Sequence, residues 1–170
     1  PYVKRANGRG NSSANLAAVD PDERRAAVEY TALSIELAAR LGARALVVHL
    51  GQVSDVREQF DEELAMRRLF DSGEMAPERF AELRESVIRQ RAEAAGPYLE
   101  AARESLDELV RLAEPAGLVI GLENRYHYHE IPSPDEYGVL FEGYSIEQVG
   151  YWHDVGHAEV LDRLGFIDKR

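Results

Sequence analysis

The sequence predicts an α/β protein with a parallel sheet, which we interpret as part of a (β/α)8 TIM barrel. Short apolar runs at 45–50, at 118–123 and from residue 149 onward alternate with helical stretches, the pattern of right-handed strand–helix–strand units. No glycine-rich phosphate loop follows any of these runs, which disfavours a nucleotide-binding open sheet. A complete barrel needs about 250 residues, so four strand-like segments in 170 residues predict a partial barrel.

Composition limits the classes of function. The 170 residues are 45% hydrophobic and 30% charged, as expected for a single globular domain over 1–170. The chain has no cysteine, which excludes disulfides, zinc–thiolate sites and thiol catalysis. Its net charge of −11 argues against nucleic acid as a partner. With no apolar run long enough to span a membrane, we expect a cytoplasmic protein, and a homo-oligomer is compatible with the sequence.

The first half of the chain begins with a strand-like segment at 1–3 and a polar loop at 7–15. Asp20 and Pro21 predict the start of a helix, and Gly42 predicts its end. We expect this helix to bury one apolar face, composed of Ala27, Tyr30, Leu33, Ile35, Leu37 and Ala38. The continuously apolar run at 45–50 is typical of a strand buried on both faces.

The pattern of residues 54–164 predicts two long helices, two strands and two short helices. The helices cover about 54–68 and 77–113, with a kink or break at Gly96 and Pro97 and a core-facing stripe of Leu99, Leu106, Leu109 and Leu112. A strand at 118–123 follows. Ser133 and Glu136 predict a cap for a short helix ending near 141. The last strand includes Val149, Tyr151 and Val155, and a helical turn covers 159–164.

Polar side chains end three successive strands: His49, Glu123 and Asp154, with His157 one turn later. The carboxyl ends of parallel strands meet on one face of a barrel, so these four side chains predict a divalent metal site, with Mn, Mg, Co, Fe or Zn as the ion. Each residue also has a simpler interpretation. His49 could be a core histidine, Glu123 could pair with Arg125, Asp154 could cap the next helix, and His157 could only pack.

A loop at 124–130 follows the second of these strand ends and alternates histidine with tyrosine. His127 and His129 could line a polar substrate pocket or lie on the surface. His153 precedes Asp154, so strand alternation predicts that it faces the opposite way, and we interpret it as structural.

Three motifs together resemble the xylose isomerase-like superfamily of (β/α)8 barrels. They are Leu-Val-Val-His-Leu-Gly at 46–51, Leu-Glu-Asn-Arg at 122–125 and Asp-Val-Gly-His at 154–157. The superfamily includes sugar and sugar-phosphate isomerases and epimerases and, as AP endonuclease family 2, abasic-site nucleases of the endonuclease IV type.

The isomerase and epimerase branch implies roles for individual residues. Glu123 would be a metal ligand and the acid–base catalyst, Asp154 a second ligand, and His157 a contact to the metal or to substrate hydroxyls. We further expect His49 as a ligand and Arg125 and His127 as substrate-binding residues. The branch also uses a histidine and a second glutamate from later strands, which this sequence does not contain, so we expect the chain to be part of a longer barrel.

Two alternatives remain. In the nuclease branch, His49, Glu123, Asp154 and His157 would all bind a multi-zinc cluster that cleaves abasic DNA, although the acidic composition and the lack of a basic, aromatic DNA-facing loop argue against it. The third interpretation is a barrel that binds without catalysis. We favour a metal-dependent isomerase or epimerase that acts on a sugar or related polyhydroxy carbonyl compound through an enediolate.

Overall fold

The computed structural model describes residues 14–53, 57–73 and 76–168, with the side chains of 57–60 left out. The predicted strand at 1–3 and most of the predicted loop at 7–15 therefore lie outside the described residues. None of the helices in the described part of the chain combines the length and the apolar character that a membrane span requires.

A parallel three-stranded sheet forms the centre of the fold. Its strands are β1 (Ala45–Val48), β3 (Val119–Glu123) and β5 (Val149–Trp152), in the spatial order β1-β3-β5. β1 pairs with β3 from Ala45 opposite Val119, and β3 pairs with β5 from Ile120 opposite Val149. All three strands point the same way, as predicted, so their carboxyl ends lie along one edge.

A second, two-stranded sheet lies beyond the ends of these strands and was not predicted. β2 (Gly51–Gln52) pairs antiparallel with β4 (Glu130–Ile131). The Asn15 side chain accepts hydrogen bonds from the N–H groups of Ala17 and Gln52 beside it. A Cβ atom on Gly51 would lie 1.9 Å from Asn15 Oδ1, and Gly51 has a φ of +118°, so only glycine fits this position.

Helix α1 (Pro21–Arg40) packs beside β1 and confirms the predicted boundaries. Its N-cap is Asp20, whose side chain accepts from the N–H groups of Asp22 and Glu23. The predicted apolar face is partly wrong, because the buried residues are Ala27, Val28, Ile35 and Ala38. Tyr30, Leu33 and Leu37 are 45%, 61% and 58% exposed.

Helix α3 (Pro77–Ala113) is one 37-residue helix that continues through Pro97. Of the predicted kink or break, the break is therefore wrong, and the kink stays a prediction. The second half of α3 packs against α1 and the sheet, where Leu106 and Leu109 are fully buried. Leu99 is partly buried against the same core, whereas Leu112 is exposed, which corrects the fourth member of the predicted stripe.

Among the described residues, helices cover one face of the sheet and leave the other open. Val48, Ile120, Leu122 and Val149 lie on the covered face and are buried. Strand alternation directs Val47 and Trp152 to the other face, where they are 36% and 48% exposed. The prediction that the 45–50 run is buried on both faces is therefore wrong for the described residues.

Helix α2 (Arg57–Ser72) packs on the first half of α3 and builds a second, smaller core around Met66, Leu83 and Val87. Tyr128 and Phe166 join this core and stack on each other with ring centroids 4.3 Å apart. α2 thus lies next to the 124–130 loop rather than on the central sheet.

Two short helices lie toward the C-terminal end of the described residues. Ser133 and Glu136 form the predicted capping box ahead of α4 (Tyr137–Phe141), with a 3-10 turn (Pro134–Glu136) between them. α5 (Val155–Arg163) begins four residues before its predicted start. Val155 is therefore helical and 71% exposed, and Tyr151 is 51% exposed, so neither is the buried strand residue that we expected.

Candidate metal centre and its neighbouring histidine cluster

Three of the predicted ligands meet at the carboxyl edge of the parallel sheet. Glu123 is the last residue of β3, and Asp154 and His157 follow the neighbouring strand β5. Each offers one ligand atom, and these atoms lie within 4.8 Å of one another. The sequence argument that strand ends converge is therefore correct for this trio, which we call the open cluster.

Asn124 fixes the two strand ends to each other. Its Nδ2 donates to the backbone oxygen of Asp154 at 2.8 Å, and its Oδ1 accepts from the N–H of Asp154 at 2.5 Å. The N–H of Asn124 also donates to the backbone oxygen of Trp152 at 3.2 Å. The spacing between Glu123 and Asp154 is thus set by the backbone and this amide.

Asp154 caps α5, as one of its simpler interpretations predicted. Its Oδ1 accepts from the N–H of His157 at 2.8 Å, and this hydrogen bond holds the pKa of Asp154 below its ordinary value. The carboxyl group is therefore ionised at neutral pH. Capping and metal binding are compatible, because a carboxylate has acceptor positions on both oxygens.

The His157 ring is oriented by the backbone. Its Nδ1 lies 2.8 Å from the carbonyl oxygen of Asn124, which can only accept, so Nδ1 carries the proton. The Nε2 atom then has its lone pair available for a cation. A histidine whose other nitrogen donates to a carbonyl is the usual arrangement of a metal ligand.

His49 contacts the open cluster through Glu123. The two side chains are joined by a 2.5 Å hydrogen bond between His49 Nε2 and Glu123 Oε2. The His49 side chain is 46% exposed and that of Glu123 11%, so His49 is not a core histidine. This corrects the simpler interpretation of His49.

Arg125 lies between two carboxylates. Its Nη1 is 3.5 Å from Glu123 Oε2, and its Nη2 donates to Glu130 Oε1 at 2.6 Å. Burial raises the pKa of Glu130, but the charge of Arg125 and a hydrogen bond from the N–H of His127 lower it below its ordinary value. The expected pairing of Glu123 with Arg125 thus exists, but Glu130 is the closer partner.

A second group of one glutamate and two histidines lies beside the first, and we call it the closed cluster: Glu63, His127 and His129. The Glu63 side chain is completely buried. His127 Nδ1 lies 3.1 Å from its Oε1 and His129 Nδ1 lies 2.9 Å from its Oε2. His127, predicted from the sequence as a substrate-binding residue, belongs to this group.

Glu63 also accepts from Arg67 and from the backbone. Arg67 Nη2 donates to Glu63 Oε1 at 2.8 Å, and the N–H of Tyr128 lies 3.1 Å from each oxygen. Burial alone would raise the pKa of Glu63, but hydrogen bonds from His127, His129 and Arg67 lower it far below the usual range. Glu63 is therefore ionised at neutral pH.

The aromatic ring of Tyr126 lies between the two clusters. Its centroid is 4.9 Å from that of His127 and 5.7 Å from that of His157. Arg67 lies over the same ring at 4.4 Å and donates to the backbone oxygen of Tyr126. The loop at 124–130 therefore borders both clusters, and α2 holds it in place.

Glu63 and Asn124 are the residues that sequence reasoning missed. Glu63 lies in a helix rich in charged residues. It is three residues before Met66 and therefore on the apolar face of that helix, and this spacing could have indicated a buried glutamate. Asn124 belongs to the Leu-Glu-Asn-Arg motif at 122–125, but the motif alone assigned it no role. His153 Nδ1 lies 2.9 Å from the hydroxyl of Tyr151, and its structural role stays a prediction.

A comparison with known protein families identifies the family and the fold of this chain. The family described as xylose isomerase-like TIM barrel matches this sequence over residues 6–165. The chain belongs to that family. The predicted resemblance and the predicted partial TIM barrel are thereby confirmed.

Among solved structures, this member of the xylose isomerase-like family is similar to a D-tagatose 3-epimerase-like protein. The TM-score is 0.58 and the sequence identity 21%. The match covers 92% of this chain but 49% of the other, so this chain spans about half the length of that relative. No curated protein sequence matches. At this identity the likeness concerns the fold.

Proposed function

We propose that this protein is part of a metal-dependent isomerase or epimerase that acts on a sugar or a related polyhydroxy carbonyl compound. The observation that carries the proposal is the convergence of Glu123, Asp154 and His157 at the carboxyl edge of the parallel sheet. Active sites of TIM barrels form at this edge. The xylose isomerase-like family and the similarity to an epimerase-like protein support sugar chemistry over other reactions of the fold.

The donor set of the open cluster fits a divalent cation. Two carboxylates and one neutral imidazole are ligands for Mn, Mg, Co or Zn, and the two negative charges match the charge of the ion. The backbone hydrogen bond to His157 Nδ1 directs Nε2 as a ligand. His49 would complete the set, either as a further ligand or by orienting Glu123 through their hydrogen bond.

In this proposal Glu123 is the catalytic residue. It would take the proton from the carbon that carries a hydroxyl next to the carbonyl, which leaves an enediolate of the sugar. Return of a proton to the neighbouring carbon completes an isomerisation. Return to the same carbon from the opposite face completes an epimerisation and needs a second acid on that face.

The other residues would bind and orient the sugar. A bound divalent ion would polarise the carbonyl and the adjacent hydroxyl. Arg125, fixed between Glu123 and Glu130, would donate to a substrate oxygen, and His157 would contact the metal or a hydroxyl. The ring of Tyr126 would limit the space available to the substrate on the side that faces the closed cluster.

The test is exchange of a carbon-bound hydrogen with solvent. The protein is incubated in D2O with D-tagatose or D-fructose and, in turn, Mn, Mg, Co or Zn ions, and deuterium at carbon is followed by NMR. We expect exchange that depends on the ion and that falls at least about a thousandfold in Glu123→Gln, with unchanged folding by circular dichroism. Full exchange in Glu123→Gln would overturn the catalytic assignment. Glu147→Gln, an exposed acid ahead of β5, is the matched control.

An abasic DNA duplex tests the nuclease alternative with the same protein and ions. Efficient incision that Glu123→Gln abolishes, without any sugar exchange, would replace the isomerase proposal. Binding of sugar without exchange or incision would support a non-catalytic barrel.

A further inference from the structure

Tyr126 is an accessible aromatic residue whose ring is held on several sides. It is 41% exposed, yet the guanidinium carbon of Arg67 lies over the ring at 4.4 Å from its centroid. Arg67 Nη2 also donates to the backbone oxygen of Tyr126 at 2.6 Å. The rings of His127 and His157 contact the same ring in edge-to-face arrangements. An exposed side chain normally samples several rotamers, whereas these contacts hold Tyr126 in one orientation.

The guanidinium that holds Tyr126 is anchored in the interior. Arg67 lies one turn after Glu63 on α2, and its Nε and Nη2 donate to Glu63 Oε1 at 3.1 Å and 2.8 Å. The Glu63 side chain is completely buried, and that of Arg67 is 11% exposed. A planar guanidinium can bond to a carboxylate and lie on an aromatic ring at the same time. The buried ion pair therefore fixes an accessible ring relative to the body of the protein.

A second exposed tyrosine offers a comparison within the chain. Tyr30 is 45% exposed and lies within helix α1, whereas Tyr126 follows shortly after Glu123 at the carboxyl end of β3. An exposed aromatic side chain alone needs no explanation. Tyr126 combines accessibility with immobilisation beside a candidate metal centre. Its rotamer entropy is lost on folding rather than on ligand binding, as in preorganised binding sites.

The position of the ring determines which part of a ligand it contacts. The centroid of Tyr126 is 5.7 Å from that of His157, so the ring borders the open cluster. Arg67 lies over one face, and the accessible part of the ring is left for a ligand. The C–H groups of a sugar are its apolar part and carry a slight positive charge, which suits packing on an aromatic ring. The oxygens of the sugar are the groups that a metal ion and N–H donors bind.

We propose that Tyr126 is a specificity-determining residue, whose ring packs against the C–H groups of the substrate chain while the substrate oxygens face the open cluster. Arg67, held by Glu63, is the positioning residue for this ring. The inference rests on the proposed function and narrows its substrate to a sugar whose carbon chain extends from the metal to Tyr126. A three-carbon compound such as dihydroxyacetone has the reacting groups but no chain beyond them.

The first experiment detects the contact and needs no activity. Protein with protonated tyrosines in a deuterated background is mixed with Mg ions and D-tagatose or D-fructose. NMR then follows saturation of the tyrosine ring protons to the C–H protons of the sugar. We expect transfer that Tyr126→Phe removes, since the phenylalanine is deuterated, and that Tyr30→Phe leaves unchanged. Transfer that persists in Tyr126→Phe, or no transfer to either sugar, would overturn the proposal.

The second experiment measures affinity by NMR titration. D-tagatose should bind about tenfold more weakly to Tyr126→Ala, and Tyr126→Phe should restore most of the affinity because it keeps the ring. Dihydroxyacetone should bind equally to the wild type and to Tyr126→Ala. Tyr30→Ala is the matched control and should bind both compounds as the wild type does.

Unchanged D-tagatose affinity in Tyr126→Ala would overturn the proposal, and so would an equal loss of affinity for dihydroxyacetone. If Tyr126→Ala does not fold, Tyr126→Leu replaces it, because leucine fills much of the same volume without an aromatic ring. The same loss of D-tagatose affinity is expected in that variant.

Arg67→Lys tests the positioning role. A lysine ammonium cannot bond to Glu63 and stack on the Tyr126 ring at the same time. In the hydrogen-exchange assay the KM for D-tagatose should therefore rise about threefold, with kcat nearly unchanged. Arg68→Lys, an exposed residue on the same helix, is the control. A lower melting temperature of Arg67→Lys with an unchanged KM would show a role in folding only and would contradict the positioning role.

The outcomes separate this inference from the proposed function. Exchange that requires Glu123, with a D-tagatose affinity independent of Tyr126, would refute the role of Tyr126 but not the reaction. Contact and affinity loss at Tyr126 without any exchange would refute the reaction but not the role of the ring. Binding of an abasic duplex that Tyr126→Ala weakens, without any sugar binding, would assign the ring to a nucleotide base and overturn the proposal.

Discussion

The open and closed clusters contain the same types of side chain but differ in how many N–H donors surround their carboxylates. Glu63 accepts from a guanidinium, from backbone N–H groups and from two imidazoles, and has no accessible surface. Glu123 contacts His49 and, at a longer distance, Arg125, and Asp154 accepts from the N–H of His157. N–H donors therefore occupy the carboxylate of the closed cluster more fully than the carboxylates of the open cluster, although both clusters offer ligand atoms that could hold a metal ion.

The largest expected effect concerns the stability of the closed cluster. Glu63→Ala removes the acceptor shared by Arg67, two imidazoles and two backbone N–H groups, so we expect a loss of about 3–5 kcal/mol in the free energy of unfolding. Chemical denaturation of metal-free protein measures it, with Asp61→Ala as the exposed control. A loss below about 1 kcal/mol would mean that Glu63 is not the structural centre of the loop.

The second prediction concerns metal affinity in the open cluster. Asparagine caps helices as well as aspartate does, so Asp154→Asn keeps the cap of α5 while it removes a charged ligand. We expect the affinity for Mn ions to fall at least about tenfold in calorimetric titration, with an unchanged melting temperature of the metal-free protein. If this variant binds Mn ions as tightly as the wild type, Asp154 is not a metal ligand.

The third prediction concerns how the stability of the folded protein depends on pH in the acid range. The pKa of Glu63 in the folded protein lies well below its ordinary value of 4.5, so its contribution to stability is complete above about pH 4.5 and is lost as the pH falls through the folded pKa. Between pH 6 and pH 3 the melting temperature of the wild type should therefore fall more steeply than that of Glu63→Gln. Parallel curves would show that the hydrogen bonds to Glu63 do not favour its ionised form.

The smallest expected effect concerns the helix cap alone. Asp154→Ala should unfold at a slightly lower denaturant concentration than Asp154→Asn in the absence of metal, because alanine cannot accept from the N–H of His157. The two variants should bind Mn ions equally weakly. A difference in affinity between them would show that the cap itself positions the metal ligands.

The parts of this molecule that the sequence predicted correctly are those that follow from periodic pattern and strand polarity. Asp20 and Ser133 mark helix starts through local hydrogen bonds, and the convergence of Glu123 with Asp154 follows from parallel strands alone. Burial was harder to predict, because Tyr30 and Leu33 have apolar character but no neighbour among the described residues that covers them. Glu63 contacts residues more than 60 positions away, a pairing that no local pattern encodes.

The position of Trp152 has a practical consequence. It is the single tryptophan of the chain, it lies opposite Glu123 in the register of β3 and β5, and it is 48% exposed. The one indole fluorophore of this chain thus lies beside the open cluster, and its emission can be followed separately from that of the eight tyrosines. Paramagnetic Mn or Co ions bound to Glu123 would quench its emission, and occupancy of the centre can be followed optically without any label.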